Sequence, residues 1–172
     1  MIEYKIREAR IDDAEALDSA LRDLSAAIGD THMAGPADLV RAGFGNNPSY
    51  RAIVAEGETG IGGVAVFSPM FSTVRGRAGI YVSDLWVSAT ARGHGLGRRL
   101  LAAALDEGGR GWGAAFIKLA VYHDNSAARA FYEKLGFVES AHERNLVLSG
   151  PRLKALGEKG DESNPRPASG PA

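Results

Sequence analysis

Val87-Ser88-Ala89-Thr90-Ala91-Arg92-Gly93-His94-Gly95-Leu96-Gly97-Arg98-Arg99-Leu100 runs from the end of an apolar β pattern into the start of a helical one. Its glycines recur at the alternate positions 93, 95 and 97. Glycine lets successive backbone N–H groups turn toward one point. The helix that follows adds unpaired N–H groups and the positive end of its dipole. A turn of this kind accepts a phosphate or pyrophosphate, and Arg92, Arg98 and Arg99 add positive charge around it. A tight strand-to-helix turn is the plain alternative. Two other nucleotide loops fail on spacing: a Walker loop would close on G-K-[ST], where Arg98 and Arg99 follow Gly97, and a dinucleotide loop needs G-x-G-x-x-G.

Outward from this loop, the pattern is one of mixed strands and helices. Residues 78–87 alternate as a strand before the loop, and 95–105 carry helical spacing after it. Upstream, 2–8, 50–56 and 61–71 read as strands, the last two separated by the turn-forming residues 57–60. Between the first two strands, Asp12 is the expected cap of a helix with Glu15 three residues on, Leu17, Leu21, Leu24 and Ile28 form its apolar stripe, and Gly29 stops it. A shorter helix is expected from Pro36 to Gly43. Downstream come a strand over 115–121, a helix over 127–135 closed by Gly136, and a last strand over 143–148. This order makes a mixed α/β sheet, neither a strict alternation of strand and helix nor a sandwich. Leu153 and Leu156 are the last apolar anchors, so a domain over 1–156 and a flexible Gly/Pro/Ser-rich tail over 157–172 are expected.

Composition narrows the function. The 172 residues carry 20 basic and 21 acidic side chains, a net charge of −1 that argues against a general nucleic-acid partner. With no cysteine, thiolate catalysis, cysteine-ligated zinc and disulfides are excluded. No apolar run approaches the roughly 18 residues of a membrane span, and no signal-peptide pattern opens the chain, so a cytoplasmic protein without a membrane partner is expected. His32 and His142 show no metal-ligand spacing with any partner, His94 lies in the glycine loop with its side chain free to face solvent, and no metal is assigned.

The stretch Arg92-x-x-Gly95-x-Gly97, directly after Leu85-Trp86-Val87, resembles the acetyl-CoA pyrophosphate loop of the GCN5-related N-acetyltransferase (GNAT) superfamily. Asn125 to Phe137 resembles that family's second cofactor segment, N-x-x-A-x-x-F-Y-x-x-x-G-F, with Ala128, Phe131, Tyr132 and Gly136 at its fixed positions. Gly43-Phe44-Gly45, Pro48, Tyr50 and Val54-Ala55-Glu56, with the segment from Phe71 through Tyr81 and Asp84 to Val87, are similar to the diamine (spermidine/spermine-type) subgroup. The resemblance spans about residues 3–156. It departs from that subgroup at Ser83, where a glutamate is usual, and at Ala26, Ala27 and Ile28, where acidic residues are usual; Asp30 is the nearest carboxylate left.

The resemblance implies six to seven mostly antiparallel strands flanked by four helices, a homodimer, and acetyl-CoA as co-substrate. It implies acetyl transfer to a primary amine of a small molecule (a diamine, a polyamine or a lysine-like amino acid) by direct attack. A non-catalytic acyl-CoA sensor and a protein-amine acetyltransferase are the alternatives. Leu85, Trp86 and Val87 would pair with the pantetheine arm, a backbone N–H near Val87 would polarise the acetyl carbonyl, and Arg92, Gly93, His94, Gly95, Leu96, Gly97 and Arg98 would hold the diphosphate. Asn125, beside Ala128, would bond the pantetheine arm or cap its helix. Tyr132 would protonate the departing thiolate, helix packing being its plain alternative. Asp84 would act as base or bind the ammonium group, an ordinary ion pair being its alternative. Ser83, Asp30 and His123 would line the acceptor site, His123 as an alternative proton shuttle.

Overall fold

The computed structural model describes residues 3–140 and 143–157, which fall into two compact units divided after Gly136. The first holds β1 (Lys5–Glu8), a 3-10 turn (Ile11–Asp13), α1 (Ala14–Ile28), α2 (Pro36–Gly43), β2 (Arg51–Gly57), β3 (Gly60–Ser72) and β4 (Arg77–Val87). A second 3-10 turn (Ala89–Ala91), α3 (Leu96–Trp112), β5 (Ile117–Leu119) and α4 (Ser126–Lys134) complete it. The second unit contains one regular element among its described residues, α5 (Pro151–Gly157).

The mixed α/β class is what these residues form. The sheet order is β1-β2-β3-β4-β5, with the first four strands antiparallel and β5 parallel to β4. A parallel neighbour requires a crossover, and α3 supplies it. On one face Leu17, Ala20, Leu21 and Leu39 of α1 and α2 pack on Ala52, Val54, Val64 and Val66. Each fully buried leucine of this kind is worth about 1.5–3 kcal/mol. On the other face lies α3: Leu100 occupies the space a Cβ on Gly63 would need, and Gly108 sits against Ile80.

Several expectations are corrected. The described residues form five strands, fewer than the expected six to seven, and 143–148 carry no strand. That segment has the apolar content of a strand but pairs in no ladder with the described strands, and Leu146 and Val147 are 92% and 90% exposed. A ladder, not an apolar run, makes a strand. The strand read at 115–121 is confined to Ile117–Leu119. The helix read to 105 continues to Trp112, through Gly108, Gly109 and Gly111. Gly108 is there because the helix approaches Ile80 too closely for a side chain, so this glycine marks packing and not an end. The expected cap Asp12 lies inside the 3-10 turn instead, α1 begins after Asp13, and the Asp13 carboxylate closes that turn by accepting the Arg10 N–H at 2.6 Å. From residue 158 on the expected tail lies outside the described residues, as does His142.

Candidate active site

The site begins where β4 and β5 part. Their pairing covers Ile80↔Ile117, Tyr81↔Lys118 and Val82↔Leu119, after which β4 runs on through Val87 without β5. On its other side β4 stays paired with β3, but the register slips: Val66 faces Asp84 and Phe67 faces Val82. Ser83 is therefore the extra residue of a β-bulge, and its Oγ donates to the Val66 carbonyl at 3.4 Å. The bulge resets the in-out alternation of the strand. Asp84 and Trp86 now share the face of their partners Val66 and Val64, under α1 and α2, while Leu85 faces α3 with its partner Ala65.

Backbone direction follows from one bond. Ser88 N–H donates to Gly62 O at 2.9 Å, so alternation turns the peptide groups of Val87 and Leu85 away from β3, toward the opening. Arg92 Nε donates to Val87 O at 3.0 Å. The opening is thus edged by the Val87 N–H and by both peptide groups of Leu85. Trp86 contributes its side chain to the α1/α2 core.

The loop continues this edge. Gly93 and Gly95 are left-handed, with φ of 82° and 71°, conformations that suit glycine. The first rung of α3 is Arg99 N–H to Gly95 O at 3.2 Å, so the N–H groups of Leu96, Gly97 and Arg98 precede the helical ladder. No side chain caps this end. Three such N–H groups at the positive end of a 17-residue helix fit a diphosphate, with Arg92, His94 and Arg98 exposed around them. Leu96 is buried, so only its backbone faces outward. Arg99 does not join this group: its Nη2 donates to Tyr4 O at 2.7 Å, tying α3 to the chain before β1.

α4 is seated on the same turn of α3. A Cβ at Gly97 would meet Phe131 Cζ at 3.1 Å. Phe131 in turn stacks edge-to-face on Tyr132, with ring centroids 5.1 Å apart. Burial pushes the Tyr132 phenol up to about 12. Asn125 is a helix cap, its Oδ1 accepting the Ala128 N–H at 3.0 Å.

A second group forms around the loop between α1 and α2. α1 ends in a left-handed Gly29, and Asp30 N–H closes it on Ser25 O at 2.8 Å. The exposed Asp30 carboxylate accepts from Tyr122 OH at 2.8 Å, beside the exposed His123. That bond raises the Tyr122 phenol, because Asp30 stabilises its protonated form. Sequence reasoning missed Tyr122, and it missed the pairing of His32 Nε2 with Asp18 Oδ1 at 2.8 Å. Neither pair has a local signature. Among the described residues no group of three or more His, Asp or Glu side chains is placed to hold a metal, and no helix is long and apolar enough to cross a membrane.

Comparison with known proteins agrees with this geometry. The profile of the acetyltransferase (GNAT) family matches residues 17–137. The uncharacterized N-acetyltransferase YhfO of Bacillus subtilis (strain 168) is 34% identical over 149 residues, covering 85% of this chain and 97% of that one. The thialysine N-epsilon-acetyltransferase of Sus scrofa is 30% identical over 176 residues, covering 92% of this chain and all of the relative. Among solved structures, an integron cassette protein from the mobile metagenome of V. cholerae shares the fold with a TM-score of 0.73 at 21% identity, over 92% of this chain and all of the other. An open β4 edge continued by a left-handed glycine turn and a free helix N-terminus is therefore found in a chain that belongs to the acetyltransferase (GNAT) family and is an acyltransferase.

Proposed function

We propose that this chain transfers an acetyl group from acetyl-CoA to a primary amine of a small molecule, a diamine, polyamine or lysine-like amino acid. The observation that carries this reading is the pair of outward peptide groups at Leu85 and Val87 together with the N–H groups of Leu96, Gly97 and Arg98 that precede the α3 ladder. When bound, acetyl-CoA supplies the activated acyl group. The Leu85 peptide groups bond the amides of its arm as a neighbouring strand would, and the Val87 N–H faces the thioester carbonyl. The N–H groups that open α3 hold the diphosphate, with Arg92 and Arg98 beside it.

The acceptor enters from the α1/α2 face, where the bulge turns Asp84. An alkylamine of pKa near 10.4 is protonated at pH 7, and reaching its neutral form costs about 4–5 kcal/mol. Asp84 attracts the ammonium ion and, directly or through water, takes its proton. The nitrogen then forms its bond to the acyl carbon as the C–S bond breaks, and it gives up its second proton to solvent, from which Tyr132 is reprotonated after turnover. Tyr132 supplies the proton to the leaving sulfur. From a phenol near 12 to a thiol near 8.5 that transfer is uphill by roughly 5 kcal/mol, so Tyr132 acts as a hydrogen-bond donor that releases its proton only as negative charge builds on sulfur.

The lysine-like acceptor is supported by the likeness to the thialysine N-epsilon-acetyltransferase, and Asp30, Tyr122 and His123 offer polar contacts for a second charged end. A homodimer in the cytoplasm belongs to the same reading, by likeness to the diamine-type subgroup. The test is release of free CoA thiol from purified protein, acetyl-CoA and a panel of diamines, polyamines, lysine analogues and peptides. Acetylation of a small amine is expected; release with peptides alone, or with nothing in the panel, would overturn the proposal.

A further inference from the structure

The loop of residues 29–35 between α1 and α2 has no regular structure, yet side chains fasten it on two sides. Inward, His32 Nε2 meets Asp18 Oδ1 at 2.8 Å, both side chains being only 10% exposed. The other Asp18 oxygen accepts from Arg22 Nη2 at 2.8 Å. The second ring nitrogen of His32 lies 3.5 Å from Ser25 Oγ, which itself donates to Leu21 O at 3.0 Å. Outward, two positions before His32, Asp30 meets Tyr122 on the segment between β5 and α4.

We infer that His32 is a positioning residue for the acceptor amine: by fastening loop 29–35 to Asp18 of α1, it holds the Asp30 carboxylate where the acceptor's cationic end is read. This rests on the proposed acetyl transfer to a small amine. An exposed ion pair would be a poor fastening, because water and salt screen it. Asp18 is different: it is buried on α1, one residue from Leu17 in the core, and Arg22 and His32 share its charge. A loop carboxylate held in one place binds a cation more tightly than one that must first be ordered. The Tyr122 hydroxyl marks that place and is a partner a cation can share or displace.

The test uses the full chain with His32→Ala, His32→Gln, Asp30→Asn and the double variant of His32→Ala with Asp30→Asn. Expected for His32→Ala is a KM for the best amine raised at least fivefold, with kcat and the KM for acetyl-CoA within twofold. His32→Gln, which keeps an N–H donor for Asp18, recovers most of that effect, and the double variant is no worse than Asp30→Asn alone. Equal changes in both KM values, an unchanged amine KM, or multiplying effects would overturn the inference. Amide hydrogen exchange of 29–35, read without turnover, is expected to quicken at least tenfold in His32→Ala with residues 17–21 unchanged. An unchanged loop overturns the fastening even where acetyl transfer stands. A panel in which no amine is acetylated overturns the transfer reading, and the positioning role with it, whatever the loop does.

Discussion

Phe131 closes on Gly97: the ring of the α4 residue reaches to where a Cβ on the first turn of α3 would stand, at 3.1 Å. The helix carrying Tyr132 is thereby registered against the N–H groups of the glycine turn. Gly97→Ala asks the ring to yield a few tenths of an ångström, while alanine in a helix is worth up to about 1 kcal/mol over glycine. The two effects nearly cancel in stability. Gly97→Val gains less from helix propensity and drives the ring away. Its expected result is a melting temperature below that of Gly97→Ala and a kcat at least tenfold lower than the parent's, measured by CoA thiol release.

Tyr132→Phe removes the hydroxyl and keeps the ring on Phe131. General-acid groups contribute about 10²–10⁴-fold, and the expected loss is at the lower end of that range in kcat, with CoA affinity by calorimetry unchanged. A linked pH effect has a definite sign. The folded-state phenol is raised from 10.0 to about 12, so its contribution to stability is complete below about pH 10 and is lost as pH rises toward 12. Melting temperature followed from pH 9 to 12 is expected to fall more steeply for the parent than for Tyr132→Phe. Parallel curves would contradict this burial.

The parts of this site that the sequence announces act over three or four residues. The glycine turn and the Asn125 cap are of this kind, since a left-handed φ or an Asx bond is settled by its immediate neighbours. The parts it does not announce depend on distant pairing. Ser83 is a bulge only because β3 and β4 slip against each other between Val66 and Phe67. Gly108 looks like a helix stop until Ile80 is found against it. Tyr122 and Asp30 are 92 positions apart, and His32 is 14 from Asp18. Residues 143–148 have the composition of a strand, but composition cannot provide the partner a ladder needs.

Arg7 and Asp13 tie β1 to the start of α1. The guanidinium donates to both carboxylate oxygens, at 2.7 and 2.9 Å, and again to Glu56 on β2. Arg7 holds the Asp13 carboxyl below its ordinary range, aided by the Arg10 N–H. A depressed carboxyl contributes stability that is present above pH 4 or so and is lost as pH falls through its folded value. Asp13→Asn is therefore expected to cost about 1.5–3 kcal/mol at pH 7, the range for hydrogen bonds to charged groups. As pH falls below about 4 its melting temperature should fall less steeply than the parent's. Chemical denaturation at pH 7 and in acid checks both statements, and parallel acid losses in parent and variant would show that the pair is not the source.

Gly95 and Gly113 stand at the two ends of α3, both left-handed, with φ of 71° and 66°, and a Cβ at either would meet nothing within 4 Å. Alanine at either position consequently carries the same torsional penalty, about 1–2 kcal/mol, and no steric one. Only Gly95 adjoins the N–H groups proposed to hold the diphosphate. Gly95→Ala and Gly113→Ala are expected to lower the melting temperature alike, while Gly95→Ala alone raises the KM for acetyl-CoA, by threefold to tenfold. Because the two variants share their strain, the difference between them isolates the geometry of the turn from the stability of the helix. Equal KM values in the presence of equal melting shifts would mean that the turn does not touch the coenzyme.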